Sequence, residues 1–172
     1  MSKKKLAGII VACIIGIIVV VAVATSGEPT STPPVTPPTP TPLTTSEQVY
    51  ATTIADHSNK VSNAMYELSN LMSNPQIGND EWTLKVASQL AAIRVLYDEA
   101  MEVEPPSSMT DIHYKYVQAM KHFETATHLI AEGVDTRDAN LLNQATTELT
   151  TGNQLINEAT NLLEEFKEAH GI

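Results

Sequence analysis

The chain has 172 residues, a length that accommodates one ordinary domain plus attachments. Twenty aspartates and glutamates against ten lysines and arginines leave a net charge of −10, the reverse of the basic footprint that nucleic-acid binding needs. The single cysteine, Cys13, excludes an internal disulfide framework and a multi-cysteine zinc site. Glycine is scarce, and no glycine-rich phosphate loop can be drawn.

Residues 6–24 read LAGIIVACIIGIIVVVAVA, 19 positions without a charge. As a helix they cover roughly 28 Å, about the hydrocarbon thickness of a bilayer. Lys3, Lys4 and Lys5 lie in the short tail of residues 1–5, and the next basic residue is Lys60. The positive-inside rule therefore predicts a cytoplasmic amino terminus and a single-pass membrane anchor, with everything after it outside the cell membrane. A cleaved signal has a shorter apolar core, of about 7–15 residues, which favours a retained anchor, although Ala22-Val23-Ala24 offers a small-x-small cleavage site. Ile10-Val11-Ala12-Cys13 loosely resembles a bacterial lipobox. The apolar run continues past Cys13 where a lipidated mature chain would turn polar, so Cys13 reads as a small apolar residue within the bilayer. A pilin-like processing site around Ala7-Gly8 fits less well, because a proline-rich stretch follows the apolar one directly.

Residues 25–45 hold seven of the ten prolines, interleaved with threonine and serine, and Glu28 is their only charge. Proline fixes φ and removes a backbone donor, so neither a helix nor a sheet ladder can propagate. A solvated polyproline II stalk of at most roughly 65 Å is expected, a spacer whose threonines are candidates for O-linked sugar.

From Ser46 onward, residues 46–172, the apolar period changes to about 3.5. Thr44 and Glu47 have capping-box spacing, and the first helix carries Tyr50, Ile54, His57, Val61, Ala64, Leu68 and Leu71 before Asn74-Pro75. A second follows Asn79 or Asp80 with Trp82, Val86, Leu90, Ile93, Tyr97 and Ala100, and stops before Pro105-Pro106. Ser107 or Ser108 is the expected cap of a third, with Met109, Ile112, Tyr116, Ala119, Phe123, Ala126 and Ile130, closing at Gly133. Asp135 or Thr136 would open the fourth, with Ala139, Leu142, Ala145, Leu149, Gly152, Ile156, Ala159, Leu163 and Phe166. Small residues on that last stripe, Gly152 above all, point to close helix approach. No segment alternates with period two. The prediction is an all-α, up-down-up-down four-helix bundle.

Candidate chemistry is sparse. His57, on the apolar stripe, is a candidate for a haem or metal ligand, with a tyrosine or backbone partner as the commoner alternative. Met65 or Met72 with His57 or His170 would supply a methionine–histidine pair, though methionine at helical spacing is more often core filler. His128 follows Glu124 by four residues and shares its helix face, a spacing for a weak metal pair or, on so exposed a face, for a surface ion pair, the reading preferred. His113 and His122 have no ligand-like partner at local spacing, and His170 suits the last turn of a helix. Asp98, Glu99, Glu102 and Glu104 crowd the end of the second helix, and Asp98, Glu102 and Glu104 with Asp111 are the candidate set for calcium or magnesium against simple exposure to solvent. There is no Glu-x-x-His, so the di-iron carboxylate pattern is missing. No nucleophile elbow and no catalytic pair can be singled out, and a non-enzymatic protein without a resident cofactor is expected.

The order of parts resembles prokaryotic single-pass surface proteins with a Pro/Thr stalk and a helical-bundle ectodomain. Pro105-Pro106 ahead of the third helix and Gly133-Val134-Asp135 before the last are similar to features of such ectodomains. The resemblance implies a binding or structural module held outside the membrane, with a protein or envelope partner, and transfers no site. A core-binding sensor or carrier of a small molecule, haem or metal, accessory to a membrane complex, is the alternative that His57 keeps open. Subtracting the amino-terminal lysines and Glu28 leaves 7 basic and 19 acidic residues in the domain, a net charge of −12. That surplus is a solvated surface first and an attractor of cations or basic partners second.

Overall fold

The computed structural model describes residues 42–171, and among these it forms helices joined by short connections, with no strand. Helix α1 spans Thr45–Ser73, α2 Asp80–Glu102, α3 Thr110–Thr136 and α4 Ala139–His170, with a 3₁₀ turn at Ser107–Met109 ahead of α3. The all-α class and four helices expected from the periodicity are what the described residues adopt. The expected membrane helix at residues 6–24, its orientation, Cys13 and most of the stalk lie outside the described residues. Among the described residues, no helix is long and apolar enough to cross a membrane.

Local chemistry explains most of the helix ends. The Thr44 side chain accepts from the Glu47 amide at 3.3 Å while the Thr44 amide donates to Glu47 Oε2 at 2.8 Å, which is the expected capping box. Asn79 Oδ1 accepts from the Trp82 amide at 3.0 Å and so caps α2. The Trp82 indole N–H donates to the Leu71 carbonyl at 2.9 Å, which closes the α1–α2 corner. Val103 is extended and ends α2, one residue ahead of Glu104, the position that Pro105 keeps out of the helical region.

Two boundaries differ from expectation. Ser107 and Ser108 do not cap α3: they lie in the 3₁₀ turn behind Pro106, and the Ser108 hydroxyl donates to Glu47 Oε1 of α1. Gly133 does not end α3, which continues to Thr136, and the left-handed position falls on Arg137 at φ 58°. Asp138, rather than Asp135 or Thr136, caps α4 by accepting from the Asn140 amide at 2.8 Å. The reason is tertiary. A Cβ at Gly133 would lie 2.9 Å from Leu142 Cδ2 and 3.2 Å from the Asp138 carbonyl oxygen. Glycine is there so that α4 can start against the side of α3.

The helices pack in chain order, α1 on α2, α2 on α3 and α3 on α4, the last contact being the most extensive. α1 and α2 run antiparallel, as do α3 and α4: Lys60 meets Glu99 while Leu71 meets Trp82, and Lys115 meets Glu158 while Gly133 meets Leu142. The main core takes Val61, Leu68, Met72, Trp82, Ile93, Met120, Phe123, Ile130, Leu142 and Leu149 among others, and so draws on all four stripes. In α2 it is Leu96 rather than Tyr97 that is fully buried. A smaller cluster forms at the end where α1 begins, from Tyr50, Met109, Ile112 and Ala159, with Leu162, Leu163 and Phe166 only half-buried beside it.

Gly152 does what its position in the stripe implied. A Cβ built there would sit 2.4 Å from Phe123 Cε1 and 2.7 Å from Cδ1, so the ring packs directly on the α4 backbone. Gly152→Ala gains helix propensity of about 1 kcal/mol but forces the ring out of a packed site, which typically costs about 1–3 kcal/mol. The expected outcome is a net loss by urea denaturation, reduced when Phe123→Leu is combined with it. A change of the same size in both backgrounds would mean the ring and the glycine are not coupled.

Arg137 holds a left-handed conformation that costs a non-glycine residue roughly 1–2 kcal/mol. Arg137→Gly should raise the thermal midpoint. An unchanged or lower midpoint would show that the arginine side chain contributes more than the strain removes.

Candidate functional site

The first half of α1 collects most of the buried polar chemistry. Between residues 45 and 60 the buried positions are Glu47, Tyr50 and His57, and beyond Lys60 they are Val61, Ala64, Met65, Leu68 and Met72. One helix thus carries polar fastening in its first half, beside the apolar contacts of Tyr50 with Met109, Ile112 and Ala159, and purely apolar fastening in its second.

His57 is 4% exposed. Its Nε2 lies 2.8 Å from the Leu96 carbonyl oxygen of α2 and its Nδ1 lies 2.6 Å from the Tyr116 hydroxyl of α3. A carbonyl can only accept, so Nε2 carries the proton and donates. Nδ1 then accepts from the Tyr116 hydroxyl, which in turn accepts from Ser58 at 3.2 Å. The chain Ser58–Tyr116–His57–Leu96 therefore has one direction, and it fixes the neutral tautomer. Burial lowers the His57 pKa, against the Leu96 carbonyl and the charge of Glu99, which raise it. Burial also pushes Tyr116 up to about 12. With both ring nitrogens bonded, His57 offers no free nitrogen to a haem or metal ion. Here the imidazole is a three-helix tie, the tyrosine-and-backbone alternative of the sequence reading.

A second polar tie lies nearly three turns before it, roughly 2.8 at 3.6 residues per turn. Glu47 is 7% exposed and accepts from the Thr44 amide, the Thr44 hydroxyl and the Ser108 hydroxyl. The Ser108 bond first, then those from Thr44, hold its carboxyl below the usual carboxylate range. Its use of Ser108, 61 positions away, has no local signal in the sequence.

Between these ties sits Tyr50, edge-on to His113 of α3 with ring centroids 5.9 Å apart and planes at 73°. The Tyr50 hydroxyl and His113 Nδ1 are the buried side-chain atoms without a hydrogen-bond partner among the described residues. Burial lowers the His113 pKa and raises that of Tyr50. An unsatisfied buried polar atom carries its desolvation cost uncompensated, about 1–3 kcal/mol, so this cluster holds α1 more weakly than its area suggests.

The other candidates fall elsewhere. His122 Nδ1 donates to Glu148 of α4 at 2.6 Å, a pairing 26 residues apart that spacing could not reveal. His128 Nε2 donates to Glu124 at 2.6 Å as its i,i+4 position implied, and Arg94 approaches the same carboxylate at 4.0 Å. His170 donates to the Phe166 carbonyl and stacks on its ring at 4.1 Å. Met65 and Met72 are core residues, 3% and 2% exposed. Asp98, Glu102, Glu104 and Asp111 are all exposed, and Glu99 is engaged by Lys60 at 3.2 Å. Among the described residues, no three His, Cys, Asp or Glu side chains gather as a metal site.

The chain belongs to the DUF7018 family, a domain of unknown function whose family model matches residues 44–160. The match begins at the Thr44 cap and takes in α1, α2, α3 and most of α4. No curated protein and no solved structure matches the chain.

Replacing His57 separates its hydrogen-bonding role from its shape. His57→Leu keeps the volume but strands the Tyr116 hydroxyl, and a loss of about 1–3 kcal/mol is expected. His57→Gln, which has one donor and one acceptor, should recover most of it. Urea midpoints that rank leucine at or above glutamine would show that the bonds contribute nothing net.

Proposed function

We propose that this protein is a membrane-anchored extracytoplasmic helical module with a non-enzymatic binding or structural role at the cell surface. The carrying observation is the order of three compositions: three lysines, 19 uncharged apolar residues, and a Pro/Thr-rich stretch that runs up to the helix cap at Thr44. A basic flank before a bilayer-length apolar run supports an anchor with its amino terminus in the cytoplasm. The proline stretch between anchor and cap supports a spacer that holds an up-down-up-down bundle away from the membrane. On this reading the membrane is one partner and a protein or envelope component the other. The carrier alternative rested on His57, whose nitrogens are both bonded within the bundle, so the module reading is preferred.

Protease added to intact source cells should release the helical domain and leave a membrane-bound stub that begins at residue 1 or 2. A mature amino terminus at Thr25 would replace the anchor with a removed signal. Full-length protein that is protected in intact cells and digested only after lysis would defeat the external placement altogether.

A further inference from the structure

We propose that the half of α1 between residues 45 and 60 is an acid-released strap, which detaches from α2 and α3 on protonation while the half beyond Val61 stays packed. The argument starts from what fastens each half. Past Lys60 the buried residues are Val61, Ala64, Met65, Leu68 and Met72, joined to Trp82, Val86 and Leu90 in the main core, and protons do not alter such contacts. Before Lys60 the buried residues are Glu47, Tyr50 and His57. Their partners are the Ser108 hydroxyl, the ring of His113, the Tyr116 hydroxyl and the Leu96 carbonyl. Every polar tie in that half therefore includes a group that changes charge in mildly or strongly acidic solution, and the apolar contacts beside them are few: Tyr50 on Met109, Ile112 and Ala159, with Ile54 half-buried next to it.

The sign follows from the direction of each bond. Neutral His57 accepts from Tyr116 at Nδ1; a proton on Nδ1 removes that acceptor, forces the Tyr116 hydroxyl to reverse its bonds, and leaves a cation in a site 4% exposed. His113 faces Tyr50, and its Nδ1 has no partner to receive a charge. Both imidazoles have pKa values lowered by burial, so the unfolded or detached segment binds protons more readily than the packed one. Stability from these two groups is complete above the ordinary histidine pKa and is lost as pH falls below it. Glu47, lowered by its bonds to Ser108 and Thr44, adds a further loss only in the carboxylate range. The surrounding charges do not cancel the effect. Around His57, Glu99 of α2 favours protonation and Lys60 of α1 opposes it. Near His113 on its own helix, Lys115 is engaged by Glu158 of α4 at 2.6 Å, and His170 of α4 acts on Glu47.

The test is hydrogen exchange by mass spectrometry on the full chain in non-ionic detergent, corrected for intrinsic rates, at about pH 7.5 and about pH 5. The opening equilibrium of amides between residues 45 and 60 should rise at least about tenfold at the lower pH. Amides in residues 61–73 and in α3 and α4 should change by less than about threefold. In His57→Gln/His113→Gln, which keeps hydrogen-bonding groups but cannot titrate, the response of residues 45–60 should fall to the background level. Equal protection at both pH values, opening of the whole domain together, or an undiminished response in the double variant would each overturn the strap. If the double variant does not fold, the C2 proton of wild-type His57 followed by NMR decides: titration below the ordinary histidine range supports the proposal, and titration at or above about 6.5 refutes it.

Discussion

A single neutral imidazole sets the geometry of one half of this domain. His57 is bonded to α2 through the Leu96 carbonyl and to α3 through Tyr116. Because the carbonyl can only accept, the tautomer and the direction of the Tyr116 bond are determined together. α1 is thereby indexed in rotation and in height against both neighbours at once, something a leucine at the same stripe position would leave to shape alone. Burial makes the uncharged form of the ring the favoured one.

The opposite side of the domain is built on the reverse strategy. There α4 lies so close to α3 that Phe123 rests on Gly152 and Leu142 on Gly133, with no room for a Cβ at either glycine. Glycine in a helix interior costs about 1 kcal/mol relative to alanine, so the close contact between α3 and α4 has to return more than two such penalties. It does so by bringing Ala126, Ile130, Ala145 and Leu149 into the shared core. Between the two strategies the domain divides into an α3–α4 pair locked by sterics and an α1 entrance held by hydrogen bonds.

Features written in a few adjacent residues could be read directly from the chain. The Thr44–Glu47 box, the Asn79 cap, the break at Pro105-Pro106 and the four apolar stripes depend on spacing within one helix, and they appear where the spacing put them. Gly152 was also legible, because a glycine in the middle of an apolar stripe has few uses besides close approach. Gly133 was misread because a glycine near the end of a stripe is most often a cap, and only the position of Leu142 shows that space was the requirement. Leu96 displaced Tyr97 from the core because adjacent apolar residues on a helix differ by about 100° and period alone does not choose between them. The partners of the polar groups were hidden for a simpler reason. Ser108 for Glu47, Tyr116 for His57 and Glu148 for His122 lie between 26 and 61 positions away. A chain read alone contains the donors and acceptors but not their pairing.

The charge surplus bears on the same entrance. Of the seven basic residues of the domain, Lys60, Lys85, Arg94, Lys115 and Lys167 are each within 4.0 Å of a carboxylate. Exposed pairs of this kind contribute only about 0–1 kcal/mol each, yet they take most of the positive charge out of play. What remains is a negative field, densest where Asp98, Glu99, Glu102 and Glu104 meet the carboxyl end of the α2 dipole with no basic residue in the last turn. That end of α2 is the one that supplies Leu96 to His57, so the field draws protons towards the imidazole while the apolar packing around it resists them. Burial is the larger of the two influences on His57, and Glu99 the weaker counterweight. Salt screens exposed charge and hardly touches burial, so added salt weakens the acid's pull on the ring and leaves its desolvation unchanged. The acidic surface and the polar entrance are thus two halves of one balance, and the packing of α1 against α2 and α3 decides which way it rests.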